Sequence, residues 1–431
     1  SGLPPRAGGG GQPTVSGPEA SAPPAGLPGV DEARRAIVDR VAPLPAGPVA
    51  VGPALAGRVL REPLLAQVRL PPFDNSAMDG YAVRSAERPA LPVTLPVTGA
   101  MQAGMAPGAV SVAPGTCAKV MTGAPLPAGA DAVAPYEWTD RGASRVTIEQ
   151  WPEAGHAVRR AGEDLVPGRL VLPEGRRVRA FELAACAATG MAEVAVGPRP
   201  RVALLTTGDE LRPAGSALGP GQIYDTAGPA VEALVAEAGG TITHRGHLPD
   251  DPVAVQRALE ELAGGVDCIV TVGAVSMGDH DHVRGAVEAL GELHLWRVAM
   301  RPGRPVAFGH VRGTIFLGLP GNPVSACVTF LLFAAPVLWA LQGAGRLEPD
   351  ASAGVLLEDV EKPEGLETFH RCRLEPRPGG LPGVRLTGAQ GSGITASLAG
   401  ADALCALPAA GDHLAAGTPV RLLPISAACP A

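Results

Sequence analysis

Two arginines stand three residues apart in RPGR, residues 301 to 304, around a Pro-Gly step. This segment follows the apolar run LHLWRVAM, 293 to 300, and precedes PVAFG, 305 to 309. Proline and glycine favour a tight turn, and a guanidinium group is a rigid fork that matches the oxygens of an oxyanion. The pattern therefore predicts an oxyanion site on a turn after a strand, with a solvated corner as the alternative.

Three further polar loops also follow strand-like runs. They are TGDE at 207 to 210, GAVSMGDHD at 273 to 281 and PGNPVS at 320 to 325. In mostly parallel sheets, ligands bind at the carboxyl ends of the strands, so most of these loops should collect at one edge together with RPGR. In PGNPVS, Asn322 is expected to be the N-cap of a helix, whose first N–H groups either meet an anion or serve only the cap.

Four polar segments lie elsewhere. PPFDNSAMDGYAV, 71 to 83, is either an Asx-rich turn that satisfies its own backbone or a carboxylate-bearing site loop. RRAGEDLVPG, 159 to 168, is either a solvated charge cluster or a second such loop. MTGAPLPAGADAV, 121 to 133, offers Thr122, and GSGITASL, 391 to 398, can surround an oxyanion with backbone N–H groups.

Histidines and aspartates crowd together in GDHDH, residues 278 to 282. Successive side chains cannot all converge on one ion without an irregular loop, which disfavours a transition-metal site. Magnesium is usually held by one or two carboxylates together with phosphate oxygens. A hard cation held by Asp279 or Asp281 and a substrate phosphate is the favoured hypothesis.

The alternation of strand-like and helical segments from about residue 200 predicts a mostly parallel sheet covered by helices. Strand-like runs alternate with helical patterns in this region. The runs are RVALLTT (201 to 207), TITHRGH (241 to 247), DCIVTVG (267 to 273), LHLWRVAM, PVAFG and TIFLGL (314 to 319).

The remainder of the chain is less regular. Short helices are predicted at 31 to 45 and at 52 to 60. Runs rich in Val, Pro and Gly from 65 to 150 predict a small β domain, and residues 343 to 431 predict another.

Composition disfavours several classes of protein. The formal net charge is −7 and there is no basic block, which argues against a nucleic-acid binder. The seven cysteines are scattered without a C-x-x-C pair, which suits a reducing cytosol better than a disulfide or zinc framework. Residues 1 to 30 are almost entirely Gly, Pro, Ala and Ser, which predicts a disordered tail without a secretory signal.

One apolar run, VSACVTFLLFAAPVLWALQ at 324 to 342, is long enough to cross a membrane. Pro336 interrupts the run, and the run follows a strand and a loop as the last helix of an α/β unit would. A buried core helix is therefore favoured over a membrane span.

Together these segments resemble the molybdopterin molybdenumtransferase family, which acts in the last step of molybdenum cofactor synthesis and includes the E domain of gephyrin. The resemblance runs from about residue 31 to about residue 425 and keeps the family's order. The matching segments are PPFDNSAMDGYAV, MTGAPLPAGADAV, RRAGEDLVPG, LLTTGDEL, GQIYD, LPDDP, VGAVSMGDHD, WRVAMRPGRPVAFG, GLPGNPVSA and GSGITASL.

The resemblance implies a multidomain fold of the α/β plus β class. A three-layer, molybdopterin-binding α/β domain with a mostly parallel sheet is joined to a discontinuous N-terminal domain, an inserted small β domain and a C-terminal β domain. The expected divisions are a tail at 1–30, an N-terminal linker and dimerisation domain at 31–64 and 151–198, the inserted domain at 65–150, the α/β domain at 199–342 and the last domain at 343–431.

The implied activity is hydrolysis of adenylylated molybdopterin and insertion of molybdate into its dithiolene, with release of AMP and with Mg²⁺ as cofactor. The catalytic set carried over from the motifs is Asp74, Asp79, Thr122, Asp164, Glu210, Asp250 and Asp281, of which Asp250 and Asp281 are the expected metal ligands. The pterin-binding set is Thr207, Gly208, Gly273, Ser276, Gly278, Pro320, Gly321 and Asn322. The molybdate or anion set is Arg297, Arg301, Arg304, Arg371 and Ser392.

The resemblance also implies partners and location. A cytoplasmic homodimer is expected, with the active site between the α/β domain of one subunit and other domains of the second. The upstream adenylyltransferase and recipient molybdoenzymes are possible partners, whereas nucleic acid and membrane are not expected.

The chain departs from the usual family pattern at four positions. Arg301 and Arg304 stand where lysine is common, Ala274 stands at a glycine position, and Ala227 stands where asparagine is usual. These departures leave open an alternative, a non-catalytic or weakly active paralogue that binds cofactor or acts as a scaffold. An adenylyltransferase that needs only the α/β unit is disfavoured, because the flanking segments carry family motifs too.

Overall fold

The computed structural model describes residues 26–273 and 282–430. Three predicted site residues, Ser276, Gly278 and Asp281, lie outside the described residues, as do Ala274, Asp279 and residues 1–25 of the predicted tail.

A six-stranded sheet forms the centre of the region after residue 200. Its order is Thr241–Leu248, Arg201–Thr207, Cys268–Val272, Thr314–Leu319, Pro305–Val311 and Gly291–Arg297. The first four strands are parallel, and each of the last two runs antiparallel to its neighbour. The predicted mostly parallel sheet is confirmed.

Helices cover both faces of this sheet and make three layers. Along Arg201–Thr207, side chains alternate between faces as the period of a strand requires. Val202 and Leu204 pack on one side, and Ala203 and Leu205 on the other. The first face is covered by Val30–Val38, Ala227–Glu237 and Pro323–Gln342, and the second by Pro252–Leu262 and His282–Leu290.

The apolar run near the end of this region forms one continuous helix, Pro323–Gln342. It consists of α-helical Pro323–Thr329, a π-helical turn at Phe330–Ala334 and α-helical Ala335–Gln342. Pro336 has no N–H to continue the i to i−4 ladder, and the wider turn lies directly before it. Among the described residues this is the one helix long and apolar enough to cross a membrane, and it is wholly buried inside the protein. It is therefore a core helix.

Short antiparallel ladders join distant segments before residue 200. Gly47–Ala50 pairs with Glu193–Val196, and Leu64–Leu65 pairs with Leu170–Leu172. Helix Ala180–Ala188 lies between the two return strands in sequence. The two pairings place residues about 145 and about 105 positions apart side by side, as a discontinuous domain requires.

The prediction of a second helix at 52 to 60 is wrong. A single 3₁₀ turn forms at Pro53–Leu55. Gly57 then takes a φ of +80°, outside the helical region, and Val59 enters an extended bridge.

A five-stranded sheet occupies the sequence between these ladders. Its order is Ala132–Pro135, Gly80–Val83, Cys117–Val120, Val93–Met101 and Arg145–Ile148. A short ladder of Asn75–Ser76 with Val158–Arg159 lies beside it in sequence.

The C-terminal sheet also has six strands. Its order is Met300–Arg301, Glu367–Glu375, Gly383–Leu386, Ser352–Leu356, Pro419–Pro424 and Ala403–Leu407, with the last strand also paired to Glu367–Glu375. Two-residue ladders at Val360–Glu361 with His413–Leu414 and at Leu211–Arg212 with Ile223–Tyr224, and the short helix Ala396–Ala399, complete the elements after residue 200.

The sequence predicts that LHLWRVAM forms one strand, and this prediction is wrong. The strand Gly291–Arg297 ends in the central sheet, whereas Met300–Arg301 pairs with Glu367 and Thr368 in the C-terminal sheet. The RPGR turn therefore begins at the seam between two sheets. A local pattern of apolar residues cannot show which sheet a strand joins.

We expect Trp339→Ala to lower the free energy of unfolding by about 3–5 kcal/mol, because this side chain is fully buried and its loss leaves a cavity. Its Nε1–H donates to the carbonyl of Ala427 at 3.0 Å. Trp339→Phe removes that bond but keeps most of the volume, and should cost less, about 1–3 kcal/mol. Urea unfolding followed by circular dichroism measures both variants; equal losses would contradict the cavity explanation.

Candidate active site

A cavity of about 500 Å³ opens at the carboxyl ends of the parallel strands. We call it the carboxylate pocket. Its lining includes all six described residues of the predicted pterin-binding set, Thr207, Gly208, Gly273, Pro320, Gly321 and Asn322. Two members of the predicted catalytic set, Glu210 and Asp250, line it as well. Because the strands run in parallel, loops far apart in sequence meet at one edge.

Close contact between two strand ends shapes this pocket. Gly273 has a φ of +99°, and a Cβ atom there would lie 2.4 Å from Thr207 Oγ1. No side chain fits at that distance, so glycine is needed both for the backbone angle and for the approach.

Three carboxylates line the carboxylate pocket: Glu210, Asp225 and Asp250. Asp225 was absent from the predicted site, although it ends the family segment GQIYD. Its Oδ1 accepts the N–H of Gly228 at 2.7 Å, at the start of helix Ala227–Glu237. An aspartate directly before a helical pattern was the signal that could have identified it.

Among the described residues, no group of three His, Cys, Asp or Glu side chains could enclose a metal ion by itself. Magnesium does not need such a cage, since it takes one or two carboxylates and completes its shell with water and phosphate oxygens. The carboxylates of the pocket fit that requirement. Of the two predicted ligands, Asp250 lines the pocket, and Asp281 lies outside the described residues.

A second cavity, of about 430 Å³, adjoins the first at Pro305, which lines both. We call it the arginine pocket. Arg301, Arg304 and Ser392 line it, as the predicted anion set requires, and Ser325 and Gln390 are additions that the sequence did not reveal.

Packing against the long helix fixes the RPGR turn. Gly303 has a φ of +96°, and a Cβ atom there would lie 2.3 Å from Thr329 Cγ2. Asn322 occupies the N-cap position of this helix as predicted, but its side chain makes no capping bond. Instead, the N–H of Val324 donates to the carbonyl of Ser392 at 3.2 Å, which joins the helix start to the GSG loop.

The arginines of the RPGR turn have no anionic partner in the part of the chain that the structure describes. Arg301 and Arg304 are exposed, and across residues 26–273 and 282–430 neither one forms an ion pair. Arg297, at the end of the preceding strand, has a buried Nε without a hydrogen-bond partner. Arg297 lines neither pocket. Arg301 and Arg304 line the arginine pocket without a carboxylate in its lining, so a bound oxyanion would supply the counter-charge there.

Arg371 lies behind the arginine pocket rather than on its surface. Its side chain is fully buried, and its guanidinium donates to the carbonyls of Gln390 and Gly391 at 3.2 and 3.0 Å and to Ser397 Oγ at 3.0 Å. These bonds hold the loop that carries Ser392. In this structure Arg371 therefore positions the anion loop and does not line either pocket.

Three of the other predicted loops meet in one cluster. The Asp74 carboxylate accepts from the N–H of Ala161 at 2.8 Å and from Arg160 at 2.7 Å. The Asp79 carboxylate accepts from the N–H and the hydroxyl of Thr122 at 2.7 and 2.8 Å. These partners lie 43 to 87 positions away in sequence, so the segment is not an Asx turn that satisfies only itself.

Both aspartates are held in the charged form by their partners. The Thr122 amide and hydroxyl hold the pKa of Asp79 below its ordinary value. The Ala161 amide, followed by Arg160, does the same for the pKa of Asp74. Asp164 is exposed near the same cluster, on the segment that contains Ala161.

This loop cluster does not line either pocket of its own chain. The residues that line the two pockets all lie between 207 and 392, whereas Asp74, Asp79, Thr122 and Asp164 precede them. The structure thus brings most of the described predicted residues together as two groups, the pocket linings and the loop cluster, whereas Arg297 and Arg371 belong to neither.

Comparison with known proteins identifies the family. Three family models match in succession: the MoeA N-terminal region (domain I and II) at residues 29–190, a probable molybdopterin binding domain at 203–340 and the MoeA C-terminal region (domain IV) at 353–425.

Relatives match over most of their length. Molybdopterin molybdenumtransferase 2 of Mycobacterium tuberculosis is 38% identical, with 85% of this chain and 92% of that protein covered. The molybdopterin molybdenumtransferase of Haemophilus influenzae is 33% identical, with 86% and 92% covered. The crystal structure of the molybdopterin biosynthesis MoeA protein of Pyrococcus horikoshii OT3 superposes with a TM-score of 0.77 at 27% identity, covering 92% of this chain and 100% of that one. The chain belongs to the molybdopterin molybdenumtransferase family.

We expect Arg301→Ala or Arg304→Ala to weaken molybdate binding by about tenfold to a hundredfold, because each removes a charged donor that has no other partner. The unfolding midpoint should barely change, since an exposed unpaired charge contributes little to stability. Isothermal titration with molybdate measures the first effect and thermal unfolding the second. Arg257→Ala, which breaks an exposed pair with Glu261, is the control; unchanged binding with a large loss of stability would make the turn arginines structural.

Proposed function

We propose that this chain is a molybdopterin molybdenumtransferase that hydrolyses adenylylated molybdopterin and inserts molybdate into the dithiolene, releasing AMP. Family membership and the names of the relatives support the assignment. The single structural observation that supports this function is that two pockets with linings of opposite charge adjoin each other. Carboxylates line one, unpaired arginines line the other, and Pro305 is common to both.

The two linings suit the two halves of the reaction. The carboxylate pocket would take the pterin and its diphosphate link, with Gly208, Gly273 and Gly321 allowing close approach of backbone to ligand. The arginine pocket would take molybdate, because fixed cations and N–H donors stabilise an oxyanion without reorganisation. Ser392 and Ser325 add hydroxyl donors to that wall.

Magnesium would be held on the carboxylate side, by Asp250 with Glu210 or Asp225 as neighbours and Asp281 as the further predicted ligand. When bound, it would neutralise charge on the phosphates and polarise the bond to be hydrolysed. The protein's own groups orient the phosphate and keep it beside the arginine pocket.

Purified protein should release AMP from adenylylated molybdopterin when Mg²⁺ and molybdate are present, and Asp250→Asn should slow this release by at least about a hundredfold if the carboxylate acts on the reacting phosphate. Single-turnover assays with separation of AMP measure the rate. Asp402→Asn, a change in the C-terminal domain away from both pocket linings, is the control. Pterin binding without any AMP release would overturn the transferase assignment in favour of a cofactor-binding or scaffold protein.

A homodimer would explain why the predicted residues form two groups. The ladder that pairs Leu65 with Leu170 carries both side chains on the surface, about half exposed. Val68, Val166 and Phe181 are exposed apolar residues on the adjoining segments. Such a patch is typical of a surface that is covered in an assembly. A second subunit bound here could bring its own Asp74 and Asp79 cluster to the pockets.

Subunit mixing tests this arrangement. Asp79→Asn and Asp250→Asn should each be nearly inactive alone. Heterodimers contain one site with both aspartates intact if the site is shared between subunits, so a randomised mixture should recover about a quarter of the wild-type rate. If each site belongs to one chain, the mixture stays as inactive as either variant, because no chain has both aspartates. Each variant exchanged with itself is the control.

The cytoplasm is the proposed location. All seven cysteines are buried and unpaired, which suits a reducing compartment. An upstream adenylyltransferase and recipient molybdoenzymes are the proposed protein partners, because in the proposed reaction the first supplies the substrate and the others use the product.

A further inference from the structure

A third cavity, of about 330 Å³, lies beside the arginine pocket. Arg301, Pro302, Pro363 and Gln390 line both cavities, so the two share a wall. The third cavity also contains His370, which belongs to the C-terminal strand Glu367–Glu375 and was not among the residues that the sequence singled out. This places an imidazole near the guanidinium of the turn.

His370 has an unusual environment for a buried polar side chain. It is only 8% exposed, and its Nδ1 is buried without a hydrogen-bond partner. Buried polar atoms are nearly always paired, so an exception calls for a cause in ligand binding or charge. The ring lines the same cavity as Arg301, which forms no ion pair with the described residues.

Positive charge surrounds the imidazole on several sides. Arg301 comes from the turn, Arg371 is the next residue along the strand, and Lys362 is a buried cation whose Nζ donates only to backbone carbonyls. Burial, followed by Arg371, Arg301 and Lys362, lowers the pKa of His370 to about 4, so the ring is neutral near pH 7. Other titratable groups that face or flank it are Asp359 and Glu361 on the cavity wall and Cys405 on the paired strand.

We propose that His370 takes up a proton when a tetrahedral dianion binds beside Arg301, so that the oxyanion and the proton are bound together. The dianion cancels the field of the neighbouring cations, and it supplies an acceptor for a ring N–H. This makes His370 an anion-binding residue that adds positive charge to the site only when the anion is present. The proposal rests on the proposed oxyanion function of the arginine pocket and extends it to proton-linked affinity.

The direction of the pH dependence follows from linkage. An opposite charge within about 4–6 Å raises the pKa of a histidine by roughly 1–3 units. Between the free value of about 4 and the raised bound value, binding consumes one proton, and affinity falls by up to about tenfold for each unit of rise in pH. Above the raised value, affinity becomes independent of pH.

Calorimetric titration of the full-length protein with sulfate, which remains a dianion throughout, tests this from about pH 5 to about pH 8. Repeating the titration in buffers of different ionisation enthalpy counts the protons taken up. We expect uptake that approaches one proton at the acid end and that is lost in His370→Gln, whose affinity should be flat with pH. His244→Gln, an exposed histidine on the far edge of the central sheet, should behave as wild type.

A parallel titration with AMP near pH 6.5, where much of its phosphate is a dianion and the raised pKa of His370 can still give uptake, separates the two sources of such an anion. The uptake with AMP is the wild-type proton count minus that of His370→Gln, so that protons exchanged by the phosphate itself cancel. Uptake with sulfate alone assigns the proton to the free oxyanion, and uptake with AMP alone assigns it to the substrate phosphate.

The proposal is overturned if neither anion brings proton uptake to the wild-type protein, a result that for sulfate needs no variant to fold. It is also overturned if His370→Gln keeps the uptake. Sulfate binding without proton uptake would overturn the role of His370 but not the transferase assignment. Absence of AMP release in the turnover assay would overturn the transferase assignment but would not change the proton count.

Discussion

Between residues 297 and 301 the backbone leaves one sheet and joins another, and both pockets depend on this crossing. Arg297 ends an edge strand of the central sheet, and Arg301 is already paired with Thr368 of the C-terminal sheet. The intervening turn is pressed against the long buried helix at Gly303. A turn fixed on three sides can hold charged side chains at the seam with little loss of entropy on binding, which is the condition for preorganised recognition.

The seam concentrates cations that form no ion pair with the described residues. Arg371 and Lys362 are buried and donate to backbone carbonyls and a hydroxyl rather than to carboxylates. Burial lowers the pKa of both groups, since an unpaired charge is costly away from water. Arg371 and Lys362 also hold the loops that line the arginine pocket and the third cavity. These unpaired cations lower the stability of the folded protein, and binding of an anion would raise it again. In the same way, a cation bound by the carboxylates of the adjoining pocket would raise stability.

The loop cluster before residue 165 has the opposite character. Asp74 and Asp79 each accept two hydrogen bonds and are held ionised by backbone amides, Thr122 and Arg160. Rigid, charged and separate from the pockets of its own chain, this cluster suits presentation to a neighbouring subunit. The exposed apolar residues around Leu65 and Leu170 offer the surface through which such a neighbour would bind.

Local sequence determined much of this protein. Apolar runs and helix signals predicted the central sheet, and chain direction in a parallel sheet predicted that its strand-end loops meet at one edge. The family resemblance supplied the individual residues, of which Thr207, Gly208, Glu210, Asp250, Gly273, Pro320, Gly321 and Asn322 line the carboxylate pocket. The 52 to 60 helix failed because Gly57 leaves the helical region, and LHLWRVAM failed because an apolar run does not specify its sheet. Only the tertiary structure placed Asp225, Gln390 and His370 at the pockets and moved Arg371 behind them. Those positions depend on contacts between residues distant in the chain, and burial and charge at such contacts are set by packing rather than by local pattern.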